Sequence, residues 1–246
     1  MLPWIELGRA KVPGGGEFRL MQRGDEFTIF AGTVGLMGTR MSGSEEVMAT
    51  IAAERVGGRR RARVLIGGLG MGFTLRAALK AFGPDAEIVV AELVPEIAGA
   101  WARGPLATWH GESLDDPRVT LRVGDVGAVL VEDAARFDAV LLDVDNGPEG
   151  LSRPGNDALY SHGGIARAKG ALRPGGMLAV WSVAPDPAFS KRLGQSGMKV
   201  EELRARAHGG RGARHVIWVA TPEDASFVPG RGGGSKRPGA GKRRTK

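Results

Sequence analysis

The stretch Val64-Leu65-Ile66-Gly67-Gly68-Leu69-Gly70-Met71-Gly72 joins three apolar residues to a turn in which four of six residues are glycine. The apolar residues predict a short buried strand, and the segment Phe73–Ala81 behind the turn predicts a helix. Glycines in such a turn allow a sharp change of direction and let backbone N–H groups approach a ligand closely. The pattern predicts a nucleoside-binding turn, and a plain strand-to-helix connection is the alternative.

Two acidic residues follow the next two predicted strands. Glu92 comes twenty residues after Gly72, at a strand end where its carboxylate can accept hydrogen bonds from both ribose hydroxyls of a nucleoside. Asp125 follows the strand Val119–Val123, where it can accept a hydrogen bond from an adenine amino group. This second acid favours S-adenosyl compounds over nicotinamide dinucleotides. Asp125 also suits the N-cap of the following helix, and the two roles can coexist.

Strands and helices alternate regularly beyond the glycine-rich turn. Further strands are predicted at residues 87–91, 119–123, 139–142 and 177–181, and helices at 95–103, 128–132 and 165–172. Continuous apolar strands separated by helices indicate a parallel sheet that is covered on both faces. Residues 199–204 and 215–219 predict two closing strands with no helix between them. The predicted fold class is therefore α/β, a Rossmann-like class I methyltransferase fold with a mostly parallel sheet and a C-terminal antiparallel hairpin.

The chain is predicted to have three parts. They are a small N-terminal β-region plus helix (1–60), a nucleoside-binding domain (61–228) and a basic tail (229–246). The first part carries predicted strands at 17–21 and 27–30, and its helix starts at Ser44 and stops near Gly57. The tail holds seven basic and no acidic residues, which accounts for the whole formal charge of +7. We expect it to be a disordered, solvated appendage, with weak nucleic-acid contact as the alternative.

Composition excludes several kinds of protein chemistry. The chain has no cysteine, which rules out disulfides, thiolate nucleophiles and cysteine-ligated zinc. Its four histidines lack the spacing of metal ligands, so no metal is predicted and each histidine is expected to be structural or solvated. No apolar run reaches the roughly 18–20 residues that span a bilayer, and no secretory leader pattern is found. We therefore expect a cytoplasmic protein with no membrane contact.

Residues 64–220 resemble the spermidine/spermine synthase family, a branch of the methyltransferase-like fold. The matched elements are the opening strand and turn, Ala91-Glu92-Leu93, Gly124-Asp125, Leu142-Asp143-Val144-Asp145-Asn146-Gly147-Pro148, Leu159-Tyr160-Ser161 and Arg173-Pro174-Gly175-Gly176. The resemblance implies transfer of an aminopropyl group from decarboxylated S-adenosylmethionine to a small-molecule amine, as in polyamine biosynthesis. A homodimer is among the expected assemblies.

The resemblance also assigns the donor-binding residues. It implies that Glu92 binds ribose, that Asp125 binds adenine, that Val126 offers a backbone N–H and that the turn holds the sulfonium tail. The full predicted set is Gly67, Gly68, Leu69, Gly70, Gly72, Glu92, Leu93, Asp125 and Val126.

Asp143 and Asp145 are the candidate catalytic carboxylates, because they follow the predicted strand 139–142 at the sheet edge where α/β ligands bind. Residues two apart on a strand can face the same way. A carboxylate there can hold an acceptor ammonium and take its proton, so that a neutral amine attacks the carbon beside a sulfonium. The resemblance gives this role to Asp143. The alternative is that both acids cap backbone groups in the loop ending at Pro148.

The acceptor end departs from the family pattern. Gly70 stands where the family's turn carries an acid, Asn146 where its second loop acid stands, Ser44 where a tyrosine begins the helix, and Trp181 where a glutamine follows the fifth strand. Asn146 and Tyr160 are the candidate acceptor-binding residues, and core packing is the alternative for Tyr160. The leading hypothesis is an aminopropyltransferase. A methyltransferase that uses ordinary S-adenosylmethionine, and a non-catalytic nucleoside-binding or RNA-associated protein, are the competing hypotheses.

Overall fold

The computed structural model describes residues 2–40, 43–144, 147–148, 158–208 and 211–223, which form a small and a large β-sheet with helices on both faces of the large one. The strands are β1 (Ile5–Lys11), β2 (Glu17–Arg23), β3 (Glu26–Ala31), β4 (Val34–Gly38), β5 (Arg63–Gly67), β6 (Glu87–Glu92), β7 (Val119–Val123), β8 (Phe137–Leu142), β9 (Leu172–Ser182), β10 (Met198–His208) and β11 (Arg211–Pro222). The helices are α1 (Gly43–Val56), α2 (Phe73–Ala81), α3 (Ala107–His110), α4 (Val126–Glu132), α5 (His162–Ala171) and α6 (Pro187–Gly194).

The large sheet has the strand order β10-β11-β9-β8-β5-β6-β7. Strands β5 to β9 run parallel, whereas β11 pairs antiparallel with both β9 and β10. This arrangement confirms the predicted fold class. The chain runs outward from β5 to β7 and then returns to β8 on the other side of β5. The strand order therefore reverses between β5 and β8, which is where open α/β sheets bind their ligands.

Apolar residues on both faces of the parallel strands explain why these strands read as continuous apolar runs. Val64 and Ile66 of β5 pack with α1 and α2 on one face, while Leu65 packs with α4, α5 and α6 on the other. Helix α1, which the sequence groups with the N-terminal region, thus contributes Met48 and Ala52 to the core of the large sheet. By its packing, this helix is part of the large domain.

The small sheet, with the order β1-β2-β3-β4, covers the glycine-rich turn. Its buried residues Phe18, Leu20 and Ile29 share a core with Met71 and Phe73 from the turn and the start of α2. Strand β1 escaped prediction because only one of its seven residues is buried, so it carries no apolar alternation. The small sheet therefore forms a roof over the point where the strand order reverses.

The helix predicted at 95–103 ends at residue 101 and is π-helical over Ile97–Trp101. The wide turn carries the Trp101 ring against β1, where Gly8 leaves room for it. A Cβ added at Gly8 would lie 2.9 Å from Trp101 Nε1. The π-helical turn thus packs closely against the roof.

Asp138 ties β8 to its neighbours and offers a test of the fold. Its carboxylate is buried and accepts hydrogen bonds from Arg59 Nη1 (2.7 Å), Arg173 Nη1 (2.8 Å) and the backbone N–H of Arg63 (2.8 Å). We expect Asp138→Asn to lower the free energy of unfolding by about 3 kcal/mol, because removing one partner of a buried ion pair leaves the opposite charges uncompensated.

Urea denaturation would measure that change, with Asp115→Asn as the matched control. Asp115 pairs with Arg103 at 2.9 Å, but both side chains are exposed, so little change is expected. Equal midpoints for the two variants would contradict the role given to Asp138.

Candidate functional site

A cleft of about 390 Å³ opens at the carboxyl ends of β5, β6, β7 and β8, beneath the small sheet. The predicted site residues that line it are Gly68, Gly70, Glu92, Leu93, Asp125, Val126 and Asp143. The roof contributes Pro13, Gly14, Phe18, Ile29, Leu36 and Met37, none of which the sequence analysis named as a site residue. Residues far apart in the chain thus meet at one site between the two sheets.

Gly67, Leu69 and Gly72 of the predicted donor-binding set do not line this cleft. The turn is nevertheless shaped by its glycines, as Gly68 shows. Its φ is +92°, and an added Cβ would collide with the backbone carbonyl of Asp143. Only glycine lets the turn after β5 lie directly against the end of β8.

His110 supports the turn from behind. A Cβ on Gly72 would lie 2.6 Å from His110 Nδ1, so the imidazole packs directly against the turn. Burial, followed by the nearby charge of Arg76, lowers the pKa of His110 to about 4. The ring is therefore neutral at neutral pH and serves packing, in line with the structural role expected for it.

The carboxylate of Glu92, which lines the cleft, organises the glycine-rich turn. Its Oε2 accepts hydrogen bonds from the backbone N–H groups of Leu69 (2.9 Å) and Gly70 (3.4 Å), and its Oε1 accepts one from Val94 (2.9 Å). A carboxylate offers about four acceptor positions, so most of this buried group's capacity is already used. The sequence indicated a ligand contact here and gave no sign of this bracing role.

Asp125 takes the N-cap role that the sequence left open for it, and it lies at the cleft. Its Oδ1 accepts a 2.6 Å hydrogen bond from the Gly127 backbone N–H, which makes it the N-cap of α4. The residue is exposed and also lines the cleft. Val126, the first residue of α4, is buried in the wall beside it.

A small recess of about 20 Å³ adjoins the cleft next to Asp143. The described residues around it are Leu36, Met37, Glu45, Leu69, Gly70, Met71, Phe73, Asp143 and Trp181. Thr74 Oγ1 donates a 2.5 Å hydrogen bond to Asp143 Oδ2. Burial raises the pKa of the Asp143 carboxyl, and the hydrogen bond from Thr74 opposes that rise.

Glu45 is a second acid on this recess, and sequence reasoning missed it as a site residue. Ser44 Oγ donates to Glu45 Oε2 over 2.7 Å and lies 2.7 Å from His215 Nδ1, while Trp181 Nε1 donates to the same Oγ over 3.0 Å. Burial, and then the charge of Asp143, raise the pKa of Glu45. Acids in the first turn of a helix are common, so nothing local distinguished Glu45 from its neighbour Glu46.

Three predicted site residues remain. Asp145 and Asn146 lie outside the described residues. Tyr160 is buried in the core, where its ring packs edge-to-face on Phe189 at 5.6 Å and its hydroxyl lies 3.4 Å from the carbonyl oxygen of Val144. This position matches the core-packing alternative for Tyr160.

The raised pKa of Glu45 predicts a pH-dependent stability. Between its ordinary pKa and the raised value, the unfolded chain releases this proton more readily than the folded protein, so stability falls as pH rises. Glu45→Gln keeps an acceptor for Ser44 but has no proton to lose. We expect the variant to gain stability over the wild type at about pH 8 and not at about pH 5.

Thermal unfolding across that pH range would measure the effect, with Glu54→Gln as the control because Glu54 is exposed on the same helix. If the melting temperatures of the wild type and of Glu45→Gln changed equally with pH, that result would contradict a buried, ionisable Glu45.

Curated polyamine aminopropyltransferases resemble part of this chain in sequence. No protein-family model matches the chain. Polyamine aminopropyltransferase 2 of Pseudomonas aeruginosa is 36% identical over 153 residues, which is 58% of this chain and 41% of that relative. Polyamine aminopropyltransferase 2 of Hyperthermus butylicus is 33% identical over 132 residues, or 53% of this chain and 41% of that protein. The chain thus spans about two fifths of the curated relatives that it matches.

Solved structures resemble the fold over a longer stretch. The spermidine synthase of Thermotoga maritima superposes with a TM-score of 0.69 at 15% identity, covering 87% of this chain and 72% of that one. Human methyltransferase-like protein 13, solved with SAH, gives 0.54 at 19% identity over 75% of this chain and 82% of that one. The chain therefore has a methyltransferase-like α/β fold similar to that of these two proteins.

Proposed function

We propose that the protein is an aminopropyltransferase that moves the aminopropyl group of decarboxylated S-adenosylmethionine to an amine acceptor. The observation that carries the proposal is how the acids around the cleft are held. Among the described residues, Glu45 and Asp143 make no ion pair with an arginine or lysine and are held by neutral O–H donors. A cationic ligand can therefore use their negative charge.

The buried acids elsewhere in the protein behave differently. Asp133, Asp138 and Asp186 lie 3.1, 2.7 and 3.7 Å from nitrogen atoms of Arg122, Arg59 and Arg192, respectively. Uncompensated buried charge is costly, so acids without a cationic partner mark a place where a cation binds. Both the sulfonium donor and the ammonium acceptor of the proposed reaction are cations.

The negative charge of the acids around the cleft also favours the decarboxylated donor. None of the described residues that line the cleft is Lys, Arg or His. Ordinary S-adenosylmethionine would bring a carboxylate towards Asp143 and Glu45, where like charges repel in a partly buried site. The decarboxylated donor carries only an ammonium at that end of the molecule.

In this scheme each acid has a separate task. Asp125 and Glu92 face the adenosine, and the turn lies beside the sulfur. Asp143 holds the acceptor ammonium and takes its proton, and the neutral nitrogen then displaces the thioether from the adjacent carbon. In-line placement of nitrogen, carbon and sulfur supplies much of the acceleration.

Several expectations remain part of the proposal. A homodimer, a cytoplasmic location and weak nucleic-acid contact through the basic tail are proposed on the grounds given by the sequence. Within the described residues, no helix is both long and apolar enough to cross a membrane. The methyltransferase alternative shares the fold, and an assay with each of the two donors distinguishes methyl transfer from aminopropyl transfer.

Nucleoside binding tests the first half of the scheme. Glu92→Gln removes the charge that braces the turn and faces the ribose, so we expect the Kd for methylthioadenosine to rise about 10- to 100-fold, since a hydrogen bond to a charged group contributes about 1.5–3 kcal/mol. Isothermal calorimetry would measure it. Glu87→Gln makes the same change on a half-exposed side chain at the opposite end of β6 and should leave binding unchanged. An unaltered Kd for Glu92→Gln would refute the assignment.

Turnover tests the role proposed for Asp143 in the transfer step. Asp143→Asn keeps the shape but removes the proton acceptor, so kcat should fall by about 10²- to 10⁴-fold while the Kd for methylthioadenosine changes little. Mass spectrometry of products from putrescine, spermidine and shorter amines, with each of the two donors, would provide the assay. Methylated products, or product formed only with ordinary S-adenosylmethionine, would replace the aminopropyl scheme by the methyltransferase one.

A further inference from the structure

The recess beside Asp143 is also lined by Glu45, which has no role in the aminopropyl transfer as proposed so far. Glu45 reaches this recess from α1 in the N-terminal part of the chain, while Asp143 reaches it from the end of β8. The volume of about 20 Å³ is enough for one group the size of a water molecule or an ammonium. Apolar side chains, including those of Leu36, Met71 and Phe73, form much of the rest of the wall.

The glycine-rich turn supplies no side chain to this recess at Gly70. A Cβ on Gly70 would lie 2.5 Å from Met37 Sδ, so the roof methionine fills the space that a side chain there would need. Among the described residues, the carboxylates facing the recess therefore come from Glu45 and Asp143, which belong to two different elements. Each of these acids has its own hydroxyl donor, from Ser44 and Thr74 respectively.

The hydrogen bonds behind Glu45 take a definite direction when Glu45 is ionised. The indole N–H of Trp181 can only donate, so Ser44 Oγ accepts from it. The hydroxyl has one proton, and when Glu45 is ionised that proton points to Oε2, which leaves His215 Nδ1 to donate to Oγ. The pair of donors from β9 and β11 thus turns the Ser44 hydroxyl towards Glu45.

We propose that Glu45 is a second carboxylate for the reacting amine, and that Ser44, Trp181 and His215 are positioning residues that aim it into the recess. This inference rests on the proposed aminopropyl transfer. An acceptor ammonium gives one proton to the Glu45–Asp143 pair and becomes a neutral amine. Its nitrogen then bonds to the donor's methylene carbon as the carbon–sulfur bond breaks, and that bond's electron pair stays on sulfur. The products are a neutral thioether and a positively charged secondary amine.

Amine binding and turnover of Glu45→Gln test the inference. We expect the KM for the amine to rise at least about 10-fold, as for the loss of a bond to a charged group, while the Kd for methylthioadenosine is unchanged. Calorimetric titration of putrescine and spermidine into the methylthioadenosine complex should show the same loss without any turnover. Glu54→Gln on the same helix is the control, and Glu45→Asp should recover part of the affinity.

The positioning residues have their own readout. Ser44→Ala should raise the amine KM towards that of Glu45→Gln, whereas His215→Asn, which retains an N–H donor, should raise it less. Equal amine KM and equal amine Kd for Glu45→Gln and Glu54→Gln, in a protein that transfers aminopropyl groups, would overturn the inference alone. A wild-type complex that neither binds nor alkylates any of these amines would overturn the proposed function and the inference together.

Discussion

The Glu92 carboxylate is the group on which the geometry of the site depends. It ends β6, and it binds backbone N–H groups of Leu69 and Gly70 in the turn after β5 and of Val94 in the segment that follows it. Burying a charge is costly, and hydrogen bonds from several backbone donors offset that cost. The same bonds fix the turn against β8, where Gly68 meets the Asp143 carbonyl. The turn, Glu92 and Asp143 are therefore held as one unit.

Sequence patterns predicted those parts of the molecule that local chemistry determines. Helix α2 and strand β7 have the predicted bounds. Glu92, Asp125 and Asp143 were singled out because each lies at the end of a strand or just after one, and the carboxyl ends of parallel strands meet at one edge. The rule places residues at the edge without showing what else they contact there.

The features that escaped prediction depend on contacts between distant segments. Ser44 on α1 meets Trp181 of β9 and His215 of β11, and no local spacing in the sequence connects the three. The roof over the cleft comes from strands such as β1, whose single buried residue gives no periodic signal. The π-helical turn at residues 97–101 places Trp101 against Gly8 of that roof, a contact between segments about ninety residues apart. Tertiary packing decided each case, and propensity alone could not.

The way in which the acids are held links the stability of the protein to its proposed chemistry. Arginine partners neutralise Asp133 and Asp138, which strengthens the fold and removes their charge from reach of a ligand. Neutral donors orient Glu45 and Asp143 but leave their charges in place, so burial raises the pKa of each. An acid with a raised pKa is also a better proton acceptor from an ammonium. At neutral pH the buried charges of these two groups lower the stability of the folded protein. A cation in the recess offsets that cost, so binding a cationic acceptor should stabilise the folded protein.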